Sequence, residues 1–345
     1  LSCYIVGCGA ALPDRVVTNS ELAPLLGVTP DWIEVNSGIR ERRWVAAHQA
    51  TSDIAAEAVA AALSDAGIGA GAIDYLLGST LSPDYQVPGV APLVLRKLNG
   101  HSAIPAADLR SGCAAILYCL QLGRALIESG SAKTVVCFGA EAQSKGLDLS
   151  PESAEISMLF GDGAGAIVLS SEPAGATPRE ILRVDDILIE TDGGFAEELA
   201  VRAPGTANGA RWIDPEQVRA GLHLPLMNGR TVILQAVRRL SEAAYAIAER
   251  NDIKPSDIDL VIPHQANLNL LKALSKRLGV PDDRIVINVD RFGNTSGASA
   301  FISLWQAHRE HRLRDGDRVL LAAFGAGFTW GVALCRVVTA RAFQL

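Results

Sequence analysis

The sequence predicts an α/β protein in which one unit is used twice, the two copies packing into a five-layered αβαβα core. The first observation behind this is an internal repeat. An alanine-rich helix, Ile54 to Ala66, leads to a strand at Ile73-Asp-Tyr-Leu-Leu-Gly78, and a second helix, Leu240 to Arg250, leads to Ile258-Asp-Leu-Val-Ile-Pro263. Asp108 to Cys113 with the helix after it is matched by Asn288 to Asn294 with its own helix. Each of these helices gives way to a glycine and a strand ending in Phe-Gly-Ala, from Gly130 to Ala140 and from Gly316 to Ala326. Matched landmarks stay roughly 185 residues apart, too steady a spacing for chance similarity between helices and strands. The second observation is that strands such as Thr134 to Phe138 and Arg318 to Ala323 are continuously apolar and alternate with long helices, the pattern of strands covered on both faces. The third is length, since 345 residues suffice for two core-forming units. The halves are placed at 1–172 and 173–345. The polar, glycine-rich stretch 191–229, with Pro204, Gly205, Gly209 and Pro215, reads as an insertion within the second.

Composition narrows the function classes. A hydrophobic content of 49% with 20% charged residues describes a packed globular chain. The net charge of −7 argues against general nucleic-acid binding. No stretch reaches the roughly 18 apolar residues of a membrane span, and no basic-then-apolar leader is visible, so no membrane role and a cytoplasmic location are expected. The six cysteines (Cys3, Cys8, Cys113, Cys119, Cys137, Cys335) show no CxxC spacing, which points to free thiols in a reducing compartment rather than a zinc site or a disulfide framework.

Several motifs invite a site and fail on context. Gly7-Cys-Gly9 lacks the third glycine of a dinucleotide fingerprint, whose place is taken by Leu12 ahead of Pro13. Phe160-Gly-Asp-Gly-Ala-Gly165 resembles a phosphate loop but leads into a strand and has no Lys-Ser/Thr, so it is expected to be a tight turn between strands. His308 and His311 flank Glu310 on a helix without a third metal ligand at matching spacing, and a solvated helix face is the plainer expectation. His48, His101 and His223 have no partners in sequence and read as surface or packing residues.

Three junctions do carry chemistry. Asp108-Leu-Arg-Ser-Gly-Cys113 ends a short approach segment, and Ala114 to Ser129 reads as one apolar helix, so Cys113 sits at a helix N-terminus. There the unpaired N–H groups and the positive end of the dipole favour thiolate over thiol, and a nucleophile with a lowered pKa is expected. A buried spectator thiol is the alternative for an isolated Ser-Gly-Cys. Pro263-His264-Gln265-Ala266-Asn267 follows a buried strand with polar and small residues ill-suited to a core, and Gly293-Asn294-Thr295-Ser296-Gly297 opens another helix. A thiol, an imidazole and an amide at three such junctions suit nucleophilic acyl transfer.

Together these segments resemble β-ketoacyl-acyl carrier protein synthase III, the initiating condensing enzyme of the thiolase superfamily. The resemblance spans nearly the whole chain: Ile5 to Pro13, Trp32-Ile33 with Ser37-Gly-Ile-Arg-Glu-Arg42, the Cys113 elbow, Phe160 to Ala166, His264-Gln-Ala-Asn267, Gly293-Asn-Thr-Ser296 and Phe324-Gly-Ala-Gly-Phe-Thr-Trp-Gly331. Elongating condensing enzymes have a second histidine where this chain has Asn294, and chalcone-synthase-like enzymes carry a different glycine-rich signature. The resemblance implies a thiolase-like duplicated fold and a ping-pong mechanism without metal or redox cofactor. Cys113 accepts an acyl group, the backbone N–H groups of Cys113 and Ala326 form the oxyanion hole, and a malonyl thioester is decarboxylated under hydrogen bonds from His264 Nε2 and the Asn294 amide. The resulting carbanion attacks acyl-Cys113 and yields a 3-oxoacyl product. The implied substrate-binding residues are Trp32, Val87, Asn267 and Phe324, and the implied partners are a second copy of the chain and acyl carrier protein, docked by Arg230, Lys272, Lys276 and Arg277.

The sequence departs from the family pattern at informative places. Alanine stands at 326 where glycine is usual. Asn36 and Ala154 occupy positions that often present arginines to the coenzyme A nucleotide, and Leu234 replaces a usual docking lysine. Val87 takes the place of a commonly aromatic residue that closes the partner subunit's acyl pocket, so a longer or branched primer is expected. A second reading keeps Cys113 and transfers the acyl group to an alcohol or amine without decarboxylation, against which Asn294 argues. A third, a catalytically silent partner protein, is opposed by the presence of Cys113.

Overall fold

The structure, a computed structural model, describes residues 2–98, 103–173 and 179–340. His101 lies outside them. The strands in chain order are β1 (Tyr4–Ala11), β2 (Arg15–Thr18), β3 (Glu41–Trp44), β4 (Tyr75–Ser79), β5 (Ala106–Leu109), β6 (Thr134–Glu141), β7 (Gly163–Ser170), β8 (Arg179–Thr191), β9 (Leu199–Ala200), β10 (Leu226–Met227), β11 (Leu260–Pro263), β12 (Arg318–Gly325) and β13 (Thr329–Ala340). Nine of them hydrogen-bond in the order β11-β12-β13-β8-β1-β7-β6-β4-β5. From the middle outward the two arms repeat each other: β1-β7-β6-β4 on one side, β8-β13-β12-β11 on the other. In each arm the outermost of these strands runs parallel to its neighbour while the inner ones are antiparallel. Among the described residues the arms join where Tyr4 pairs with Arg183 and Ile5 with Leu182, with the Val184 N–H donated to the Cys3 carbonyl beside them. Where the first arm has the β4–β5 pairing, the second has an isolated parallel bridge between Val261 and Ile285.

Helices complete the five layers. Thr51–Ala66 packs on β1, β6 and β7, and Gly229–Arg250 covers β12 and β13 from the opposite outer side. Between the arms, Ala115–Glu128 and Ser299–Arg309 each touch strands from both. Those two middle helices are apolar nearly all round because sheet lies on either side of them.

Several sequence expectations change in detail. Gly7 and Gly9 belong to no nucleotide loop. A Cβ on Gly9 would sit 2.3 Å from the Ala62 nitrogen, so their absent side chains let β1 lie directly on helix Thr51–Ala66. The glycines from Phe160 onward form no tight turn. Phe160 pairs with Asn294, the chain runs straight into β7, and a Cβ on Gly161 would lie 2.1 Å from the Phe292 carbonyl oxygen. His308 and His311 do not converge: His308 Nε2 faces Asp65 at 3.6 Å, while His311 lies beyond the helix end. The helix expected from Leu240 begins eleven residues earlier, at Gly229, capped by the Asn228 side chain. The 191–229 stretch holds the β9–β10 ribbon and a short helix, Pro215–Arg219, and it packs Phe195 on Phe328 with ring centroids 5.1 Å apart.

Candidate active site

Cys113 is placed by two glycines. Gly112, at φ +56, turns the chain between β5 and helix Ala115–Glu128. A Cβ on Gly112 would stand 2.5 Å from the Ala326 nitrogen, and one on Gly325 would stand 2.3 Å from the Cys113 nitrogen. Only side-chain-free backbone allows this approach, which brings the Gly112–Cys113 and Gly325–Ala326 backbones together. Ala326 itself lies outside the positive-φ region, so its methyl costs no backbone strain.

The thiol is not ionised in these surroundings. Cys113 is buried, its Sγ lies 3.2 Å from Ser296 Oγ, and burial pushes the thiol up to about 12 despite that hydrogen bond. This corrects the expectation of a lowered pKa. The helix begins two residues beyond the cysteine, and desolvation of the charged form is the largest influence on the sulfur.

His264 leaves β11 with its own N–H donated to the Ala322 carbonyl at 2.7 Å. Its Nδ1 lies 2.5 Å from Ser299 Oγ, which also accepts the Gln265 N–H at 3.1 Å. With that lone pair used, the serine hydroxyl has its proton free for Nδ1, an arrangement that leaves the ring proton on Nε2. Burial lowers the His264 pKa to about 4, partly opposed by a backbone hydrogen bond with Ser296. The ring is therefore neutral at pH 7.

Gln265 has no exposed surface, and its amide staples the backbone. Nε2 donates to the Pro263 and Val286 carbonyls, while Oε1 accepts the Asn288 and Val289 N–H groups. Asn294 is held by its backbone against Leu159 and Gly161. Its Oδ1 accepts the Ser296 N–H at 2.8 Å, which orients the amide and leaves the Nδ2 donors without a protein acceptor among the described residues.

Cys113, His264 and Asn294 line one cavity of ≈ 290 Å³ with Trp32, Asn267, Phe324 and Arg230. Burial grades along it: the first three are nearly inaccessible, while Asn36, Glu155 and Arg230 form an exposed rim. Leu199 and Met227, at the two ends of the insertion, supply part of the apolar wall. Asn267 reaches this wall with both amide ends in use, Oδ1 capping helix Leu268–Leu278 and Nδ2 donating to the Asn36 carbonyl. Arg42 is a buried clamp on the Asn19 side chain and the Met158 carbonyl. Val87 is 81% exposed and absent from the cavity of its own chain. Lys272, Lys276 and Arg277 are exposed on helix Leu268–Leu278. Among the described residues neither they nor Arg230 makes an ion pair.

Sequence reasoning overlooked Ser299, Ser296 and Glu141. The first two offered no signal as small polar residues at a helix start. Glu141 had one: it is a charged residue ending a continuously apolar strand.

Comparison with known proteins agrees with this geometry. Residues 107–186 match the family model described as 3-oxoacyl-[acyl-carrier-protein (ACP)] synthase III, and residues 248–337 match that of its C-terminal part. The chain is 38% identical over 333 residues to β-ketoacyl-[acyl-carrier-protein] synthase III of Nitratidesulfovibrio vulgaris, covering 96% of this chain and 97% of that one. The crystal structure of the Aquifex aeolicus 3-oxoacyl-[acyl-carrier-protein] synthase III superposes with a TM-score of 0.85 at 31% identity, over 97% and 99% of the two chains. The priming β-ketosynthase of the R1128 polyketide pathway superposes with a TM-score of 0.83 at 26% identity, over 99% and 96%. With its thiolase-like fold, this chain belongs to the 3-oxoacyl-[acyl-carrier-protein] synthase III family.

Proposed function

We propose that this cavity carries out a decarboxylative Claisen condensation in which Cys113 is the nucleophile and His264 and Asn294 are the carbonyl donors. As a member of its family the chain is an acyltransferase: an acyl group held on cysteine is condensed with a malonyl thioester, with loss of CO₂, to a 3-oxoacyl product in fatty-acid initiation. The observation that carries the residue assignment is the fixed Asn294 amide. Its oxygen is occupied by the Ser296 N–H, so its donors and the neutral His264 ring meet the same cavity as the Cys113 sulfur. Donors at a thioester oxygen are what decarboxylation requires, because the enolate charge develops there. A neutral imidazole can give that hydrogen bond from Nε2 without first being protonated. Acyl transfer to an alcohol or amine would need no such pair. The Cys113 and Ala326 amides, carried on these adjoining backbones, suit the tetrahedral oxyanion formed on acylation. These steps call for no metal or redox cofactor.

His264→Ala and Asn294→Ala should each still acylate Cys113, seen by intact mass, while CO₂ release from malonyl thioester falls by roughly 10² to 10³. Variants that release CO₂ from the malonyl thioester at the wild-type rate but fail to acylate Cys113 would reverse the assignment.

Around the cavity we read Trp32 and Phe324 as contacts for the thioester arm, with Asn267 shaping the wall. With Asn36, buried Ala154 and the exposed Glu155 at or beside the rim, Arg230 is the one cation lining the cavity among the described residues, a poor seat for a nucleotide phosphate. A carrier-bound thioester fits better. Its acidic carrier would dock on Arg230, Lys272, Lys276 and Arg277, which have no partners of their own to give up. The segment bearing Val87 also exposes Leu81 and Tyr85, which suits burial in a homodimer with Val87 closing the partner's acyl pocket. No helix among the described residues is long and apolar enough to cross a membrane. Six free, buried thiols fit the cytoplasm.

A further inference from the structure

Ser296 stands between the nucleophile and a buried carboxylate that the condensation as described leaves unused. Its Oγ is 3.2 Å from Cys113 Sγ, and Glu141, at the end of β6, lies close by within the influence of the same hydroxyl: a Cβ on the adjoining Gly297 would stand 3.5 Å from Glu141 Oε1. Ser296 is held there at φ +47, a backbone conformation rare outside glycine, so the surrounding structure enforces its position.

Glu141 has no exposed surface. Its carboxylate accepts the Leu81 N–H at 3.1 and 3.2 Å, the Ser82 hydroxyl at 2.8 Å, Gln143 Nε2 at 3.1 Å and the Thr80 hydroxyl at 3.4 Å, with residues 296–297 on its remaining side. The groups meeting it from the segment after β4, from β6 and from residues 296–297 are thus all neutral. Among the described residues the titratable group facing it is Cys113, and no cation pairs with it. A carboxylate buried with donors but no counter-charge is a proton acceptor in waiting, and desolvation raises it to about 7. The thiol beside it is pushed up to about 12, and His264, lowered to about 4, is a weak base.

We propose that Ser296 and Glu141 form a proton relay that activates Cys113. On acylation the Cys113 S–H bond breaks and its proton passes to Ser296 Oγ as the serine proton passes to the Glu141 carboxylate. The sulfur electron pair attacks the acyl thioester carbonyl, and the departing thiolate is protonated from water. On condensation the carbanion breaks the acyl–Sγ bond, and the sulfur recovers the proton by the reverse path. The buried cluster therefore never carries the thiolate and the carboxylate charge at the same time, which is why the relay lowers the barrier in a desolvated site. Ser296 touches the reacting sulfur and is catalytic; Glu141 acts through it as a positioning residue.

The relay rests on Cys113 being the nucleophile, and its test is chosen to separate the two. The rate of Cys113 alkylation by iodoacetamide, located by peptide mass, is followed from pH 5.5 to 9.5, with acylation by an acetyl thioester in parallel. Wild type should show an inflection near pH 7. Glu141→Gln should remove it and slow alkylation roughly ten- to a hundredfold at pH 8. Glu141→Asp, which keeps a carboxylate, should move the inflection without abolishing it. Ser296→Gly deletes the hydroxyl while suiting the positive φ, and it should behave like Glu141→Gln with an unchanged melting temperature. If Glu141→Gln does not fold, Ser296→Gly decides alone. A wild-type pH profile in Ser296→Gly overturns the relay, whereas alkylation confined to other cysteines in the wild type overturns Cys113 as nucleophile instead.

Discussion

The two copies of the repeated unit meet the active site with the same junctions and opposite treatment of them. In the first, the strand ends after β4 and β6 close over a carboxylate: Thr80, Leu81 and Ser82 all donate to Glu141. In the second, the corresponding ends of β11 and β12 open into the cavity, with His264 and Phe324 on its wall. The strand-to-helix junctions diverge likewise, since the first supplies Cys113, the proposed nucleophile, and the second supplies Asn294 and Ser296. A duplicated scaffold has thus been divided, one copy holding the reacting sulfur and a closed polar network, the other the donors and the open pocket. The two ends carry different chemistry: the Glu141 carboxylate takes its hydrogen-bond donors from the protein, whereas the donors of Asn294 are left unpaired for a ligand.

Three experiments sharpen or break this division. The largest effect is expected from the first copy. Cys113→Ala should abolish acyl-enzyme formation in intact-mass measurements with a panel of acyl thioesters. A stable adduct on Cys119 or Cys137 in that variant would remove the nucleophile from this junction.

The next concerns the segment after β4, whose inner end caps Glu141 and whose outer end exposes Val87. On the proposal that residue 87 closes the partner's pocket, valine in place of an aromatic residue would leave space for two or three more methylenes. At about 0.8 kcal/mol each, these shift primer preference roughly 10- to 60-fold. Val87→Phe should depress acylation by medium or branched primers and spare acetyl. An unchanged chain-length profile would show that the pocket is closed elsewhere.

The smallest effect belongs to the second copy and is read in stability. The folded His264 pKa, about 4, lies below the ordinary 6.5. Between these values the unfolded chain binds more protons than the folded one, so the stability from the neutral ring is complete above pH 6.5 and is lost as pH falls toward 4. The loss amounts to about 3 kcal/mol. Urea unfolding at pH 7 and pH 4.5 should show a smaller drop in His264→Asn than in wild type. Equal drops would mean that the ring is protonated in the folded protein.

The sequence by itself determined the duplicated α/β architecture, because continuous apolar strands and alanine-rich helices repeat at a steady spacing and bury themselves in only a few ways. It also marked Cys113, His264 and Asn294, since a thiol, an imidazole and an amide at strand-to-helix junctions are unusual residues in unusual places. Tertiary structure alone decided their electrical state. The expected thiolate is a thiol here, because desolvation depends on what packs around the sulfur and not on its neighbours in the chain. It decided as well which polar residues work on each other and which are mortar. His264, Gln265 and Asn267 stand within four positions, yet the first faces the cavity, the second staples backbone and the third caps a helix. Ser296 and Glu141, separated by most of a half-chain, converge beside Cys113 only when the two copies pack. Hydrogen-bond partnership across such distances is set by the fold, and no local pattern of residues encodes it.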